Sequence, residues 1–162
     1  MEGRKQLERT MEIDAPVEVV WEVLADSRLL PQWVPAVQEV LACSAEGEGV
    51  GAVRNCNVEL MGRQGRMVER CVEFTPMSRA AYVVDDESFG LRKMFADYGF
   101  ALNLRSNGGD RTTVTIETHY TPLNPIYSLM NAVMMRRRFA AVVDDLLEGL
   151  KALSERRTPT FS

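Results

Sequence analysis

Residues 124–154, NPIYSLMNAVMMRRRFAAVVDDLLEGLKALS, set the architecture that the rest of the chain must complete. Asn124 followed by Pro125 is typical of a helix start. Apolar residues then recur at helical spacing, and their register shifts near Met134–Arg137, where we expect a bend or break. The apolar residues are Ile126, Leu129, Met130, Val133, Phe139, Val142, Val143, Leu146, Leu150 and Leu153. The pattern predicts one long C-terminal helix with a face that must be buried.

Six segments before this helix show the pattern of β-strands. They are Val37–Ser44, Gly51–Leu60, Arg66–Phe74, Ala80–Asp85, Met94–Leu104 and Thr112–Thr121. Turn-rich stretches separate them, and these connections are too short for parallel crossovers, which usually need a dozen or more residues. The segments therefore predict an antiparallel meander whose apolar face packs against the long helix.

The first part of the chain adds a strand and two short helices. Lys5–Ile13 alternates as a half-buried strand does. Either Asp14 or Ala15 is expected to cap the next helix, whose first turn holds Pro16 and Glu18. Prolines in the following segment then allow only a short second helix before the sheet resumes. The sequence predicts an α+β fold of about seven strands in one domain over residues 1–162, with a core from about 5 to 155.

Composition excludes several classes of protein. Apolar residues make up 46% of the 162 residues and charged residues 26%, as in ordinary globular proteins. The net charge of −4 predicts no nucleic-acid partner. No apolar leader or run of about 20 apolar residues is present, so we expect a cytoplasmic protein without stable membrane insertion. Cys43, Cys56 and Cys71 lack the spacing of metal ligands and are interpreted as reduced thiols; no metal and no cofactor are expected.

Four stretches carry a resemblance to a known family. They are APVEVVWEVLADSRLLPQWVPAV (15–37), GEGVGAVR (47–54), ERCVEFTP (69–76) and RRRFAAVVDDLLEGLKALSE (136–155). Together they resemble the polyketide cyclase/dehydrase and lipid-transport group of the SRPBCC (START-like) superfamily. The resemblance implies a helix-grip fold, in which a curved sheet wraps around the long helix and encloses a cavity for a small apolar ligand. The superfamily includes lipid carriers, hormone receptors and aromatic cyclases, so the resemblance implies the fold more narrowly than the function.

Strand alternation predicts which side chains face that cavity. On the third strand we place Arg54, Cys56, Val58 and Leu60 on the inner face. Further inward candidates on later strands are Tyr82, Tyr98, Phe100, Leu102, Val114, Ile116 and Tyr120. The helix is predicted to contribute Met135, Phe139, Val142 and Leu146. Trp33 is interpreted as either part of the pocket wall or an ordinary core residue.

Glu69 receives two conflicting assignments. The segment GAVRNCNVELMG (51–62) resembles a strand and gate loop of plant abscisic-acid receptors, which implies that Glu69 lies inside the pocket. Apolar alternation through Val68, Val72 and Phe74 predicts the opposite face. If Glu69 points inward, it and Arg54 either orient a ligand carboxylate or carbonyl, or form a structural ion pair. Glu117 and His119 lie in the polar register of their strand, and we expect them to face solvent.

Three functional hypotheses remain open at this stage. The first is a binding protein for a lipid, isoprenoid, quinone or polyketide-like aromatic. The second is a cyclase or dehydratase in which Arg54, Glu69, Tyr98 or Tyr120 moves protons. The third is a non-catalytic interaction or stress module, and a homodimer is compatible with any of them. The run Arg136–Arg138 is interpreted as a solvated helix face, with contact to an anionic membrane as the alternative.

Overall fold

The computed structural model describes residues 1–160, which form an antiparallel sheet, a long C-terminal helix and three shorter helices. The strands are β1 (Lys5–Ile13), β2 (Val37–Cys43), β3 (Val53–Leu60), β4 (Arg63–Thr75), β5 (Arg79–Glu87), β6 (Phe95–Ser106) and β7 (Thr112–Pro122). The helices are α1 (Val17–Ala25), α2 (Leu30–Trp33), α3 (Pro125–Met130) and α4 (Arg136–Arg157). Short 3-10 turns at Ser27–Leu29 and Leu91–Lys93 and a π-helical turn at Asn131–Met135 complete the elements.

The seven strands are ordered β1-β7-β6-β5-β4-β3-β2, and every neighbouring pair is antiparallel. Strands β2 to β7 therefore form the predicted meander, and β1 closes it by pairing with β7. The apolar face of α4 packs on this sheet, with Val143, Leu147 and Leu150 almost completely buried. The helix-grip architecture predicted from the sequence is confirmed.

The cap predicted for α1 is wrong. Pro16 is the residue that precedes the first turn, and its carbonyl accepts the N–H groups of Val19 and Val20. Asp14 instead forms an ion pair with Arg111 at 3.1 Å. Ala15 is fully buried, and its carbonyl accepts the Thr112 hydroxyl at 2.8 Å. The two candidates are thus used to attach the chain to β7 and its preceding turn.

The predicted break in the last helix is present as the π-helical turn, four residues before Phe139 at its nearest end. Asn124 caps the start of α3 by accepting the Tyr127 N–H at 2.9 Å, as the sequence indicated. Within the turn, buried Asn131 accepts the Tyr120 hydroxyl at 2.5 Å and donates to the Gln6 side chain at 3.2 Å. These bonds tie the turn to β7 and β1, which positions α4 over the sheet.

Candidate functional site

A cavity of about 120 Å³ lies between the sheet, α2 and the middle of α4. Most of its walls are apolar, while Arg54 and Glu69 introduce charge and Trp33, Tyr82, Tyr98 and Thr118 carry polar groups. The lining residues are Leu30, Trp33, Val34, Ala36, Val37, Arg54, Val58, Leu60, Met67, Glu69, Tyr82, Tyr98, Phe100, Leu102, Ile116, Thr118, Val142, Val143 and Leu146.

The cavity brings together ten of the fourteen residues predicted as ligand contacts. They are Trp33, Arg54, Val58, Glu69, Tyr82, Tyr98, Phe100, Ile116, Val142 and Leu146. Leu60 and Leu102, which alternation also turned inward, line it as well. The choice of inner face for β3 therefore agrees with the geometry of the cavity.

The other four predicted contacts, Cys56, Tyr120, Met135 and Phe139, are buried but do not line the cavity. The Tyr120 ring packs against Phe139 at a centroid distance of 5.4 Å, and its hydroxyl is used by Asn131. Met135 lies in the π-helical turn beside this cluster. Periodicity correctly predicted that these side chains are buried, but Tyr120, Met135 and Phe139 lie in or beside the aromatic cluster and not on the cavity wall.

Several lining residues were missed. Leu30, Val34 and Ala36 come from α2 and the proline-rich segment after it, where no regular period exists to predict a facing direction, and Val37 is the first residue of β2. Met67, Thr118 and Val143 are the others. Thr118 has the parity of Ile116 on β7, and that parity was the one signal that would have identified it.

Glu69 points inward, and a bulge in β4 explains why its alternation was misleading. Cys71 pairs with Tyr82 and Glu73 with Ala81, so Val72 is an extra residue on β4. One extra residue reverses the parity of a strand beyond it. Glu69 and Phe74 can therefore both face the interior, and the face predicted from Val68, Val72 and Phe74 is wrong for Glu69.

Arg54 and Glu69 form a buried ion pair across adjacent strands, with 2.6 Å between Nε and the carboxylate. Their side chains are only 7% and 13% exposed. The Arg54 guanidinium also lies 4.0 Å from the centroid of the Tyr82 ring, a cation–π arrangement. Burial acts to lower the pKa of Arg54, but the Glu69 carboxylate more than offsets it and the pKa lies above its usual value. Arg54 is consequently a permanent cation on the cavity wall.

Three polar groups of the wall have hydrogen-bonding capacity left over. Within residues 1–160, the buried Trp33 Nε1 and the Tyr82 hydroxyl have no hydrogen-bond partner. Arg54 donates to Glu69 through Nε, and within residues 1–160 its two terminal nitrogens form no hydrogen bond to another side chain. A buried donor without a partner costs about 1–3 kcal/mol. A ligand oxygen placed here would recover part of that cost.

The tyrosines of this interior are held protonated at neutral pH. Burial raises the pKa of Tyr82 to about 12, because the charged form would lose its hydration. Burial likewise raises the pKa of Tyr98 well above its usual value and that of Tyr120 to about 12. These hydroxyls are hydrogen-bond donors and not bases.

Two matched tyrosine variants test this description. Tyr120→Phe should lower the free energy of unfolding by about 1–3 kcal/mol, because the buried Asn131 oxygen loses its donor. Tyr82→Phe should leave stability unchanged or raise it by about 1 kcal/mol, because it removes a buried hydroxyl that has no partner. Urea unfolding of both variants measures the difference. Equal destabilisation by the two changes would contradict the assignment of their hydroxyls.

Glu117 and His119 lie on the opposite face of β7 and are not part of the cavity. His119 contacts the Gly3 carbonyl through Nδ1 at 3.1 Å and Glu117 through Nε2 at 3.2 Å. Arg79 approaches the same carboxylate at 3.6 Å. These groups form a polar network on the outer face of the sheet.

A surface groove adjoins the cavity, and Arg54 and Tyr82 line both. Its walls come from the end of α1, the 3-10 turn at Ser27–Leu29 and the β2–β3 connection. Glu48 of that connection accepts the Ser27 N–H at 2.8 Å and holds the two walls together. The charged end of the cavity therefore faces the groove, while its apolar end lies against α4.

Residues 1–160 contain no group of three or more His, Cys, Asp or Glu side chains arranged to hold a metal ion. Over the same range, no helix is long and apolar enough to cross a membrane. Cys56 and Cys71 are buried, and burial raises the pKa of both thiols, to about 11 for Cys56.

A curved antiparallel sheet gripping a long helix around an interior cavity defines the class of helix-grip, START-like proteins. The family model for polyketide cyclase/dehydrase and lipid transport matches residues 4–155. The chain belongs to this polyketide cyclase/dehydrase and lipid-transport family. Among proteins with curated descriptions, none matches the sequence.

Solved structures of several members of the class are similar to this chain. A START superfamily protein from Mycobacterium smegmatis is 17% identical, with a TM-score of 0.75 over 94% of this chain and 98% of that one. The Zhui aromatase/cyclase from a Streptomyces species is 20% identical, with a TM-score of 0.71 over 93% of each chain. Norcoclaurine synthase from Thalictrum flavum, in complex with dopamine and hydroxybenzaldehyde, is 14% identical, with a TM-score of 0.72 over 95% of this chain and 88% of that one. At these identities the similarity establishes the fold.

Proposed function

We propose that this protein binds a small hydrophobic molecule carrying an oxygen acceptor at one end. The observation that carries the proposal is the apolar cavity whose wall contains the Arg54 cation together with Tyr82 and Trp33, whose buried hydroxyl and N–H have no partner within residues 1–160. An acceptor oxygen of a carboxylate, carbonyl or phenol would satisfy these donors, and Glu69 keeps Arg54 oriented towards it.

The size of the cavity restricts the ligand. A volume of about 120 Å³ is close to that of an engineered protein cavity of about 150 Å³ that takes up benzene. The cavity therefore suits a single ring or a short chain. A longer lipid, isoprenoid, quinone or polyketide-like aromatic would have to displace half-buried side chains at its margin, such as Leu60, Val142 and Leu146.

The energetics of such a complex are those of burial with a few polar contacts. Removing apolar surface from water contributes roughly 25 cal/mol per Å². A ring-sized ligand that buries on the order of 150–250 Å², as an aromatic side chain does, gains several kcal/mol in this way. Hydrogen bonds to a charged donor add about 1.5–3 kcal/mol. Once the loss of translational and rotational freedom on association is subtracted, these contributions support affinity in the millimolar range.

Binding is favoured over cyclase chemistry by the protonation states of the cavity. A general acid or base works best with a pKa near the operating pH. Burial raises the pKa of Tyr82 to about 12 and that of Tyr98 well above its usual value, and Arg54 is a permanent cation. Two of the similar solved structures are named as enzymes, an aromatase/cyclase and norcoclaurine synthase. Turnover of a bound ligand is thus the alternative that the experiment below must exclude.

Ligand identification comes first. Native mass spectrometry of the purified protein, followed by organic extraction, should reveal a defined apolar adduct. Titration calorimetry with benzoate and toluene then separates the two ends of the cavity, because both fit a single-ring space and only benzoate has an acceptor for Arg54. We expect benzoate to bind at least tenfold more tightly than toluene.

A cavity-filling variant provides the control. Val58→Phe adds a ring at a position that is 5% exposed and lines the cavity, and it should abolish the adduct and benzoate binding. Val50→Phe adds the same atoms at a site that is 70% exposed and should bind as the wild type does. A protein that takes up neither probe supports the interaction-module hypothesis, and conversion of an extracted ligand supports the enzyme. Either result overturns the proposal.

A further inference from the structure

Apolar side chains are exposed in unusual density along α3 and the π-helical turn. Ile126, Leu129 and Val133 are 77%, 67% and 65% exposed. Their spacing of three and four residues places them on one face of the helix, and Arg137 continues that face four residues later. Of the nine large hydrophobic residues exposed in the described part of the chain, six lie in or beside this segment. They are Met61, Leu123, Ile126, Leu129, Val133 and Met134.

Cations surround this apolar strip. Arg136, Arg137 and Arg138 are exposed and follow the π-helical turn directly. Among the salt bridges of residues 1–160, none involves these three arginines. Arg138 lies 3.6 Å from the Met61 sulfur of the β3–β4 turn. On the other side, the Leu123 N–H donates to the carbonyl of Met94, which follows exposed Lys93.

The chain has a net charge of −4, yet positive charge is concentrated beside this strip, which restricts the kind of partner that can bind there. A second copy of the chain, docked face to face, would bring the two arginine runs together in a contact of low polarity, where like charges repel strongly. An anionic lipid surface accepts both features at once. Its acyl region takes up exposed aliphatic side chains, and each arginine near its head groups contributes about 1 kcal/mol.

The strip lies close to the cavity, so a ligand could pass between a bilayer bound at the strip and the cavity. Leu60 lines the cavity, and the next residue, Met61, contacts Arg138 at the edge of the strip. The side of the molecule that would face the bilayer is therefore adjacent to the apolar end of the cavity, opposite the charged end at Arg54.

We infer that the face formed by Ile126, Leu129, Val133 and Arg136–Arg138 docks the protein peripherally onto anionic lipid bilayers. This surface is separate from the cavity, and the inference holds whether or not the cavity binds a ligand. The side chains reach the boundary between head groups and acyl chains. They cannot span the bilayer, since α3 with its π-helical turn covers eleven residues, or about 16 Å, against a hydrocarbon core of about 30 Å.

Vesicle co-sedimentation tests the inference. The wild type should bind vesicles of phosphatidylcholine mixed with phosphatidylserine at least tenfold more tightly than vesicles of phosphatidylcholine alone, and added salt should weaken the binding. Ile126→Ser/Leu129→Ser/Val133→Ser should reduce binding at least tenfold. Arg137→Gln/Arg138→Gln should reduce binding to the anionic vesicles by a similar factor. All five changes are at exposed positions, so thermal unfolding should be close to that of the wild type.

Two controls make the result specific. Leu41→Ser/Val50→Ser removes apolar residues that are exposed elsewhere and should bind vesicles as the wild type does. Val58→Phe, which fills the cavity, should also bind vesicles normally, so failure of the ligand proposal and failure of this one are distinguishable. No vesicle binding by the folded wild type, or equal binding to neutral and anionic vesicles, overturns the inference. A concentration-dependent dimer that the triple serine variant abolishes would assign the face to self-association and overturn it as well.

Discussion

Gly149→Ala is expected to destabilise the protein by about 1–3 kcal/mol, although alanine normally favours a helix over glycine. At an ordinary helical site the substitution gains about 1 kcal/mol. Here a Cβ atom would overlap the Trp33 carbonyl oxygen and lie 2.8 Å from its carbonyl carbon. Because both partners are backbone, the clash can be relieved only by moving α4 away from α2. Such overpacking typically costs 1–3 kcal/mol and occasionally more.

The consequence extends to the cavity, because Trp33, α2 and α4 all contribute to its wall. Urea unfolding monitored by tryptophan fluorescence measures the stability, and benzoate titration measures the site. Glu148→Ala is the matched control, since it places alanine at the neighbouring exposed position of the same helix and should change stability by less than about 0.5 kcal/mol. If Gly149→Ala proves as stable as this control, the close approach of α2 to α4 is wrong.

Arg54→Met is expected to be the most costly single change at the candidate site. It leaves the Glu69 carboxylate inside the protein without its partner, a loss of about 3–5 kcal/mol for a buried pair. Arg54→Met/Glu69→Met removes both charges, and its stability should return to within about 1 kcal/mol of the wild type. The double variant should also lose the preference for benzoate over toluene, because Arg54 is the group that distinguishes them.

The exposed pair on the next position of β4 serves as the control. Arg70 and Asp85 are 2.9 Å apart, but their side chains are 44% and 40% exposed. Arg70→Met should therefore cost less than about 1 kcal/mol. Chemical denaturation of the three variants and the wild type completes the comparison. A double variant no more stable than Arg54→Met would show that the charge on Glu69 is not what destabilises the single variant.

These experiments also separate the roles of the ion pair. If it is only structural, the double methionine variant will bind benzoate and toluene with the same affinities as the wild type does. If it orients a ligand, that variant will be stable yet lose benzoate selectively. The geometry favours the second outcome, because Tyr82 and Trp33 offer further donors on the same wall.

The local pattern of apolar and polar residues was sufficient to predict the strands and helices of this fold. β1 was predicted with the boundaries that the structure has, and each later strand was predicted to within a few residues. The differences lie at turns: β3 begins at Val53 after Gly51, whose φ is +91°, and β4 begins earlier because Met61 and Gly62 form a tight turn with positive φ. Predicting a positive φ requires knowing the turn type, and the spacing of apolar residues does not reveal the turn type.

The lining of the cavity depends on features that the periodic spacing of apolar residues does not reveal. A single extra residue in β4 reverses the direction of Glu69, and nothing in the alternation of Val68, Val72 and Phe74 reveals it. Tyr120 and Phe139 have the correct parity, but they lie beside the π-helical turn and pack with each other instead of lining the cavity. Parity predicts which face a side chain lies on, whereas the cavity also requires its position along the element.

The sequence by itself determined the long helix, the order of the strands, the charge balance and the inward direction of Arg54. These properties follow from spacing along one element, where each residue's neighbours are known. Only the tertiary structure decided that Arg54 meets Glu69, that Trp33 and Tyr82 retain unused donors, and that the apolar strip of α3 lies exposed. Those properties depend on which elements pack together, and packing brings residues far apart in the chain within a few ångströms of each other.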